Sequence, residues 1–552
     1  MATAKPRVFN IPASARFLPA LIKTLRDGKV VPGFPASDDP LELARATLYL
    51  PTRRACRLAR DTFLDAFDGK AAILPRIVAL GDLDEDEIIF AEAATAELAQ
   101  AALALEPKVE ALERQLLLAQ LIAEWADKIT PEQGAPLISN TPAARLALAD
   151  DLGRLIDDFI TRETDWQRLD NLVPDQFDKY WQLTLDFLKI ARSYWPERLK
   201  EKGKVDAAKL RDQLIDAEMQ RLDDTDQPVI AAGSTGSMPA TAKLLAAIAR
   251  LPHGAVVLPG LDVDLDEDSW RGIASDADDK NAAGIVHPQF AMRALLDRIR
   301  VKRDDVVQLA ESESHGRELL ASEALRPAAT TDRWHARLKT PEFTAAADRA
   351  MAGISVVETA NAEEEALAIA VCLREAVESP GRIAALVTPD RALARRVVAA
   401  LERWEVAVDD SGGDRLAETP AGIFARLAAE VALGGFEPAS LLALLKHSLM
   451  RLGTEDGARG RAAAALERAV LRGPRPRRGS AGLMHALATF RATRDQLHRN
   501  DPRCLISAAD LDAAESLTGA LARALAPLET LDRKSTRLNS SHFVPSRMPS
   551  SA

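Results

Sequence analysis

The chain has 552 residues, with 71 Lys and Arg against 82 Asp and Glu and a formal net charge of −11. At about 100 to 200 residues per domain, this length argues for about three or four domains. No run nears the ~18 apolar residues of a membrane helix, and the acidic balance excludes a protein that coats nucleic acid nonspecifically while leaving room for a locally basic channel.

The opening MATAKPRVFNIPA lacks the apolar core and cleavage pattern of a secretory signal, so a cytoplasmic protein is expected. Short β-like runs then alternate with helices: RVFNI (7–11), followed by ATLYL (46–50) leading into TRRACRLARDTFLDAF. From about residue 85 to 221 the pattern becomes helical, with Leu148, Leu152, Leu155, Ile156 and Phe159 on one face. Strand-like runs return at PVIAA (228–232) and GAVVL (254–258) around a helix at 240–250. The β-runs on both sides of the insertion are therefore expected to share one parallel sheet. ISVVE (354–358) and RIAALV (382–387) predict a second αβ domain, and helical patterns follow from about residue 438. Trp125, Trp166, Trp181 and Trp195 sit in helical segments and read as core. The last twenty residues, RKSTRLNSSHFVPSRMPSSA, hold six serines and four basic residues but no acid. They resemble translated sequencing-adapter read-through, and 532–552 are set aside as a non-native tail.

An ATP-hydrolysing P-loop needs G-x-x-x-x-G-K-[ST] after a strand: glycine amides cradle the phosphates, lysine neutralises them and the hydroxyl holds magnesium. The residues after RVFNI, PASARFLPAL, include no glycine and no lysine. GSTGS (233–237) also joins a strand to a helix, but Lys243 lies too far along to serve. Gly233, Ser234 and Thr235 read either as a tight capped turn or as amides that touch a phosphate or DNA backbone. Asp262, Asp264 and Asp266 have calcium-loop spacing, yet Glu267 stands where that loop needs glycine and Ile273 where it needs glutamate. A solvated acidic loop is expected there.

Thr52 stands at a helix start, with Arg53, Arg57 and Arg60 on one face and Arg54 beside them. Such a face binds phosphates or forms a surface stripe paired with Asp61 and Asp65. The same arrangement recurs at Thr388 with Arg391, Arg395 and Arg396. RGPRPRRG (472–479) reads as a flexible basic loop. Cys56, Cys372 and Cys504 form no CxxC, so no disulfide framework, zinc site or iron-sulfur site is expected. HExxH and Gly-x-Ser-x-Gly are missing. The acid-x-Lys triplets at 106–108 and 278–280 lie outside strand-like runs, so no nuclease site is assigned.

NIPASARFLPAL, ATLYLPTRRACRLARDTFL, LPRIVALGDLDEDE, VIAAGSTGSMPATAKLLAAIARLPHGAVVLPGLD, HPQFAMRALL and RIAALVTPDRALARRVVAALERW occur in that order. Together they resemble the AddB family of alphaproteobacterial type, across about residues 7 to 530. The layout is similar to superfamily 1 helicases. The resemblance implies an α/β fold of parallel-sheet αβ domains with large helical insertions. The first αβ domain would comprise 1–84 and 222–285, interrupted by a helical insertion at 85–221. A connecting segment (286–350), a second αβ domain (351–435) and a truncated helical domain (436–531) would follow. It also implies a DNA-handling, helicase-like role in double-strand-break repair and recombination beside AddA, the partner that carries the motor. Thr52, Arg53, Arg54, Arg57, Gly233, Ser234, Thr235, Thr388 and Arg391 are the expected contacts to a single DNA strand. The family's iron-sulfur cluster and magnesium-dependent nuclease lie toward the carboxyl terminus, and no catalytic, cofactor or metal residue is carried over to this chain. Two alternatives stay open: a divergent DNA-stimulated ATPase using 233–237 and Asp262, or a structural scaffold for AddA.

Overall fold

The computed structural model describes residues 5–37, 41–67, 73–80, 105–128, 141–171, 178–223, 225–273, 282–413, 415–453 and 455–538. The chain divides into two compact units, Met1–Val357 and Glu358–Ala552.

In the first unit, short apolar runs become parallel strands that each feed a helix. β1 (Val8–Ile11) leads to α1 (Phe17–Arg26), β2 (Thr47–Leu50) to α2 (Arg53–Ala66), and β3 (Arg76–Ala79) follows. After the insertion come β4 (Val229–Ala232), the helix Pro239–Arg250, β5 (Gly254–Pro259) and the two-residue β6 (Val307–Gln308). The sheet order is β3-β2-β4-β5-β1-β6, and every pairing is parallel. The expected sharing of one sheet across the insertion is what the fold shows, with β4 seated between β2 and β5. The sheet reaches beyond the expected boundary at residue 285, because β6 pairs with β1.

Successive strand residues enter opposite cores. Phe9, Ile11, Leu48, Leu50, Ile230, Ala232, Ala255 and Val257 pack with α1 and α2. Val8, Tyr49, Val229, Ala231, Val256 and Leu258 pack beneath the helices Ala207–Asp223, Pro239–Arg250 and Phe290–Ile299. Cover on both faces explains why these strands are apolar at most positions, Asn10 and Thr47 being buried polar exceptions, rather than alternating.

The insertion has its own core, built from the helices Ala111–Lys128, Pro142–Thr161, Asp178–Lys189 and Trp195–Lys202. Leu152 and Ile156 are buried, and Phe159 stacks on Trp166 at 3.8 Å. Trp125 and Trp195 are core residues whose indole N–H groups donate to Asp186 (3.1 Å) and Asp206 (3.0 Å). The buried Tyr49 hydroxyl on β2 bonds Glu218, which Arg221 holds at 2.8 Å, so the sheet is tied to the helix Ala207–Asp223. Residues 81–104, 129–140, 172–177 and 274–281, including the 278–280 triplet, lie outside the described residues.

In the second unit the helices Ala362–Glu378 and Arg391–Glu402 meet through Ala366, Ala370, Leu393, Val397 and Leu401. Neither ISVVE nor RIAALV forms a strand, which corrects the expected second αβ sheet. An extended segment needs a ladder partner for its backbone groups. Here the backbone is irregular and the side chains are open to solvent, Val356 at 85%, Ile383 at 93% and Val387 at 92%. The helices expected from about residue 438 begin earlier, with Pro420–Gly434, and build a core in which Leu441, Leu444, Leu466, Leu487 and Leu521 are buried together. The last helix, Ala508–Leu538, runs past the change of composition near residue 531.

Candidate functional site

The connections leaving β2 and β4 depart on opposite faces of the sheet, through α2 and through the helix Pro239–Arg250. The chain leaves β2 toward β3 and β4 toward β5, so the sheet has a topological switch point between them, the place where open α/β sheets commonly hold ligands. Two groups of expected contacts meet at this switch point. From β2 comes Thr52, which starts α2, its hydroxyl accepting the Ala55 N–H at 3.1 Å. Arg53, Arg54 and Arg57 are exposed on the first turns of α2. From β4 comes Gly233 at φ +80°, where an added Cβ would lie 3.3 Å from the Phe17 ring and 3.4 Å from Pro51. Only glycine combines that backbone with that approach. Ser234 accepts the Gly236 N–H at 3.3 Å and tightens the turn, and Thr235 follows, half-buried. A helix start, a tight turn and three guanidinium groups on one edge suit the backbone of a nucleic-acid strand.

The loop after β1 is arranged otherwise. The Ser14 N–H donates to the Glu318 carboxylate at 2.8 Å, and the Ala15 N–H returns to the Pro12 carbonyl at 3.1 Å. An amide that a P-loop would aim at phosphate is thus committed to a carboxylate of the same chain. Burial pushes the Glu318 carboxyl up, but bonds from Ser312 and Ser14 outweigh it and hold it below the usual range.

Beside this loop, at the carboxyl ends of β1, β5 and β6, lies a cavity of about 430 Å³ whose wall includes Asp262, Asp264, Glu311 and Glu318. Among the described residues, no Lys or Arg belongs to its lining. Asp262 accepts the N–H groups of Asp264 (2.9 Å) and Leu265 (3.0 Å). Partial burial and the neighbouring carboxylates of Asp262 and Glu318 push the Asp264 carboxyl up. His287 Nδ1 accepts the Gln289 N–H at 3.1 Å, and burial holds the imidazole toward its neutral form. A triphosphate at this wall would meet carboxylates where it needs donors and positive charge. Asp266 is a helix cap rather than a metal ligand, accepting the Ser269 N–H at 3.0 Å and pairing with Arg326 and Arg333.

Thr388 and Arg391 belong to the second unit and hold partners within it. With no strand before it, the Thr388 hydroxyl simply accepts the Asp390 N–H at 3.0 Å, and Asp390 caps the helix. Arg391 makes a two-pronged pair with Asp410 (3.0 and 2.6 Å) and donates to the Gly413 carbonyl at 2.9 Å. Its guanidinium is spent on structure. The 472–479 run is anchored rather than loose: Arg472 pairs with Glu467 at 2.7 Å, and the Gly479 N–H donates to Gly435 at 3.1 Å.

Sequence reasoning missed Glu318, His287 and Ser322. His287 and Gln289 stood inside the quoted HPQ segment, but nothing local marks Glu318 as the partner of a loop 304 residues away. No protein-family profile and no curated protein matches the chain.

Proposed function

We propose that the chain is the DNA-handling, helicase-like half of an AddB-type subunit, which engages the phosphates of a single strand and leaves ATP hydrolysis to AddA. The observation that carries this reading is the β2/β4 switch point, where Thr52, Arg53 and Arg54 open the helix that follows β2 and Gly233, Ser234 and Thr235 form the turn that follows the neighbouring β4. The β1 loop supports the second half of the proposal, since the Ser14 amide is taken by Glu318.

The test is fluorescence anisotropy of a labelled oligo-dT with the full chain across a salt series. Binding is expected at low salt, with log affinity falling linearly against log salt. Arg53→Glu with Arg54→Glu should weaken binding by at least about tenfold and flatten the slope by about one to two. Unchanged affinity would remove the β2/β4 switch point from consideration and favour the scaffold reading. In the ATPase alternative Asp262 would hold magnesium. Its neighbours are the carboxylates of Asp264, Glu311 and Glu318, with no Lys or Arg among the described lining residues to meet a triphosphate, so DNA-stimulated turnover sensitive to Asp262→Ala is not expected.

A further inference from the structure

The acidic cavity at the ends of β1, β5 and β6 takes no part in the proposed DNA contact, and its chemistry is the opposite of a phosphate site. Its wall carries Asp262, Asp264, Glu311 and Glu318 on a mostly apolar frame that includes Ala13, Leu261, Pro288 and Leu325. A second feature is independent of the charge. Ser322, on the helix Arg317–Ala324, lines the same cavity, is only 7% exposed, and its hydroxyl has no hydrogen-bond partner. A buried hydroxyl left unpaired is unfavourable unless a ligand or water completes it.

Several internal donors are already committed. Asn10 gives its amide N–H to Gln308 at 2.8 Å, Gln289 gives its own to the Gly260 carbonyl at 3.0 Å, and Ser14 serves Glu318. What the cavity offers a guest is mainly acceptors and negative charge, with the Ser322 hydroxyl and the His287 Nε2 as its unpaired polar atoms, and apolar surface along the rest. Arg303 lies behind Asp262, donating to its carbonyl at 3.4 Å over the Trp270 ring, and offsets part of that charge without entering the lining.

We propose that this cavity binds an alkylammonium group: a positively charged amine on an apolar stem, its head among Asp262, Asp264 and Glu318 with a hydrogen bond to Ser322. The stem lies along Leu261, Pro288 and Leu325. Two sources share this chemistry, a free polyamine and the side chain of a lysine in a polypeptide. The site stands independently of the DNA reading.

The experiment is isothermal titration calorimetry of the full chain with 1,5-diaminopentane and with acetyl-lysine methylamide, using 1-pentanol as the uncharged control and magnesium-ATP as the anionic one. Saturable binding of the amines, with none of pentanol or ATP, is expected. Asp264→Asn should weaken it at least tenfold. Ala321→Phe, which fills the cavity from its wall, should abolish it, and circular dichroism checks that both variants are folded. Tighter binding of the lysine derivative assigns the site to a polypeptide, and tighter binding of the diamine to a free polyamine; both support the proposal. Amine binding no stronger than that of pentanol, binding unaffected by both variants, or displacement of the amine by ATP would overturn it.

Discussion

Asp266 illustrates how one side chain fixes a neighbourhood. It caps the helix Glu267–Gly272 and gathers Arg326 and Arg333, while Arg326 is itself buried against Glu323 at 2.7 Å. Burial pushes the Asp266 carboxyl up, but hydrogen bonds from Arg326 and Ser269 prevail and hold it far below the ordinary carboxylate range. A depressed folded-state value adds stability that is fully present above the unfolded value near ~4 and is lost as pH falls through the folded value. Asp266→Asn should therefore destabilise the first unit at neutral pH by about 1–3 kcal/mol. The gap between variant and parent in thermal melts should narrow as pH drops below about 4. A gap constant down to pH 2 would deny the carboxylate its role. Arg391 gives a contrasting expectation. Because Asp410 and Gly413 hold it, Arg391→Ala should leave oligo-dT affinity within about twofold, as for a charge that makes no phosphate contact, while lowering the melting temperature of the second unit.

At the scale of elements, the sheet owes its tightness to the turn between the helix Pro239–Arg250 and β5. A Cβ on Gly254 would stand 1.9 Å from the Ile248 carbonyl and 2.8 Å from the Leu251 Cβ. Gly254→Ala must push the helix off the strand and should reduce stability by about 1–3 kcal/mol, measured by chemical denaturation. An unchanged midpoint would show that the turn yields freely. Thr52→Ala, which removes the cap of α2, should lower stability by about 1 kcal/mol. β1, β2, β4 and β5 could be read from the sequence because each is an apolar run fully covered on both faces. β6 could not: two exposed residues, Val307 and Gln308, become a strand only through the neighbouring β1. The opposite error arose at 354–358 and 382–387, whose β-branched residues have strand propensity but no ladder partner among the described residues. The same limit applies to the site. Thr52 and the glycine turn announce themselves by local grammar, whereas the Ser14–Glu318 bond and the commitment of Arg391 to Asp410 depend on long-range packing.

For the molecule as a whole, the division at Val357 and Glu358 falls within an irregular stretch whose side chains face solvent. Both sheet cores and the insertion core lie on one side of it in sequence, and the cores of the second unit lie on the other. Each unit therefore carries the apolar burial that its own cooperative unfolding requires. Thermolysin, which cuts before apolar residues, should reach Ile354, Val356, Val357, Ile383 and Val387 sooner than any residue of β1, β2, β4 or β5. Opening the covered strands requires most of the global unfolding free energy, whereas the exposed segments open at almost none. Mass spectrometry of a brief digest should find fragments ending near residue 353 that still melt cooperatively and still bind oligo-dT through Arg53 and Arg54. Early cuts in the covered strands, or loss of cooperative melting in that fragment, would mean that the first unit depends on the second for its stability.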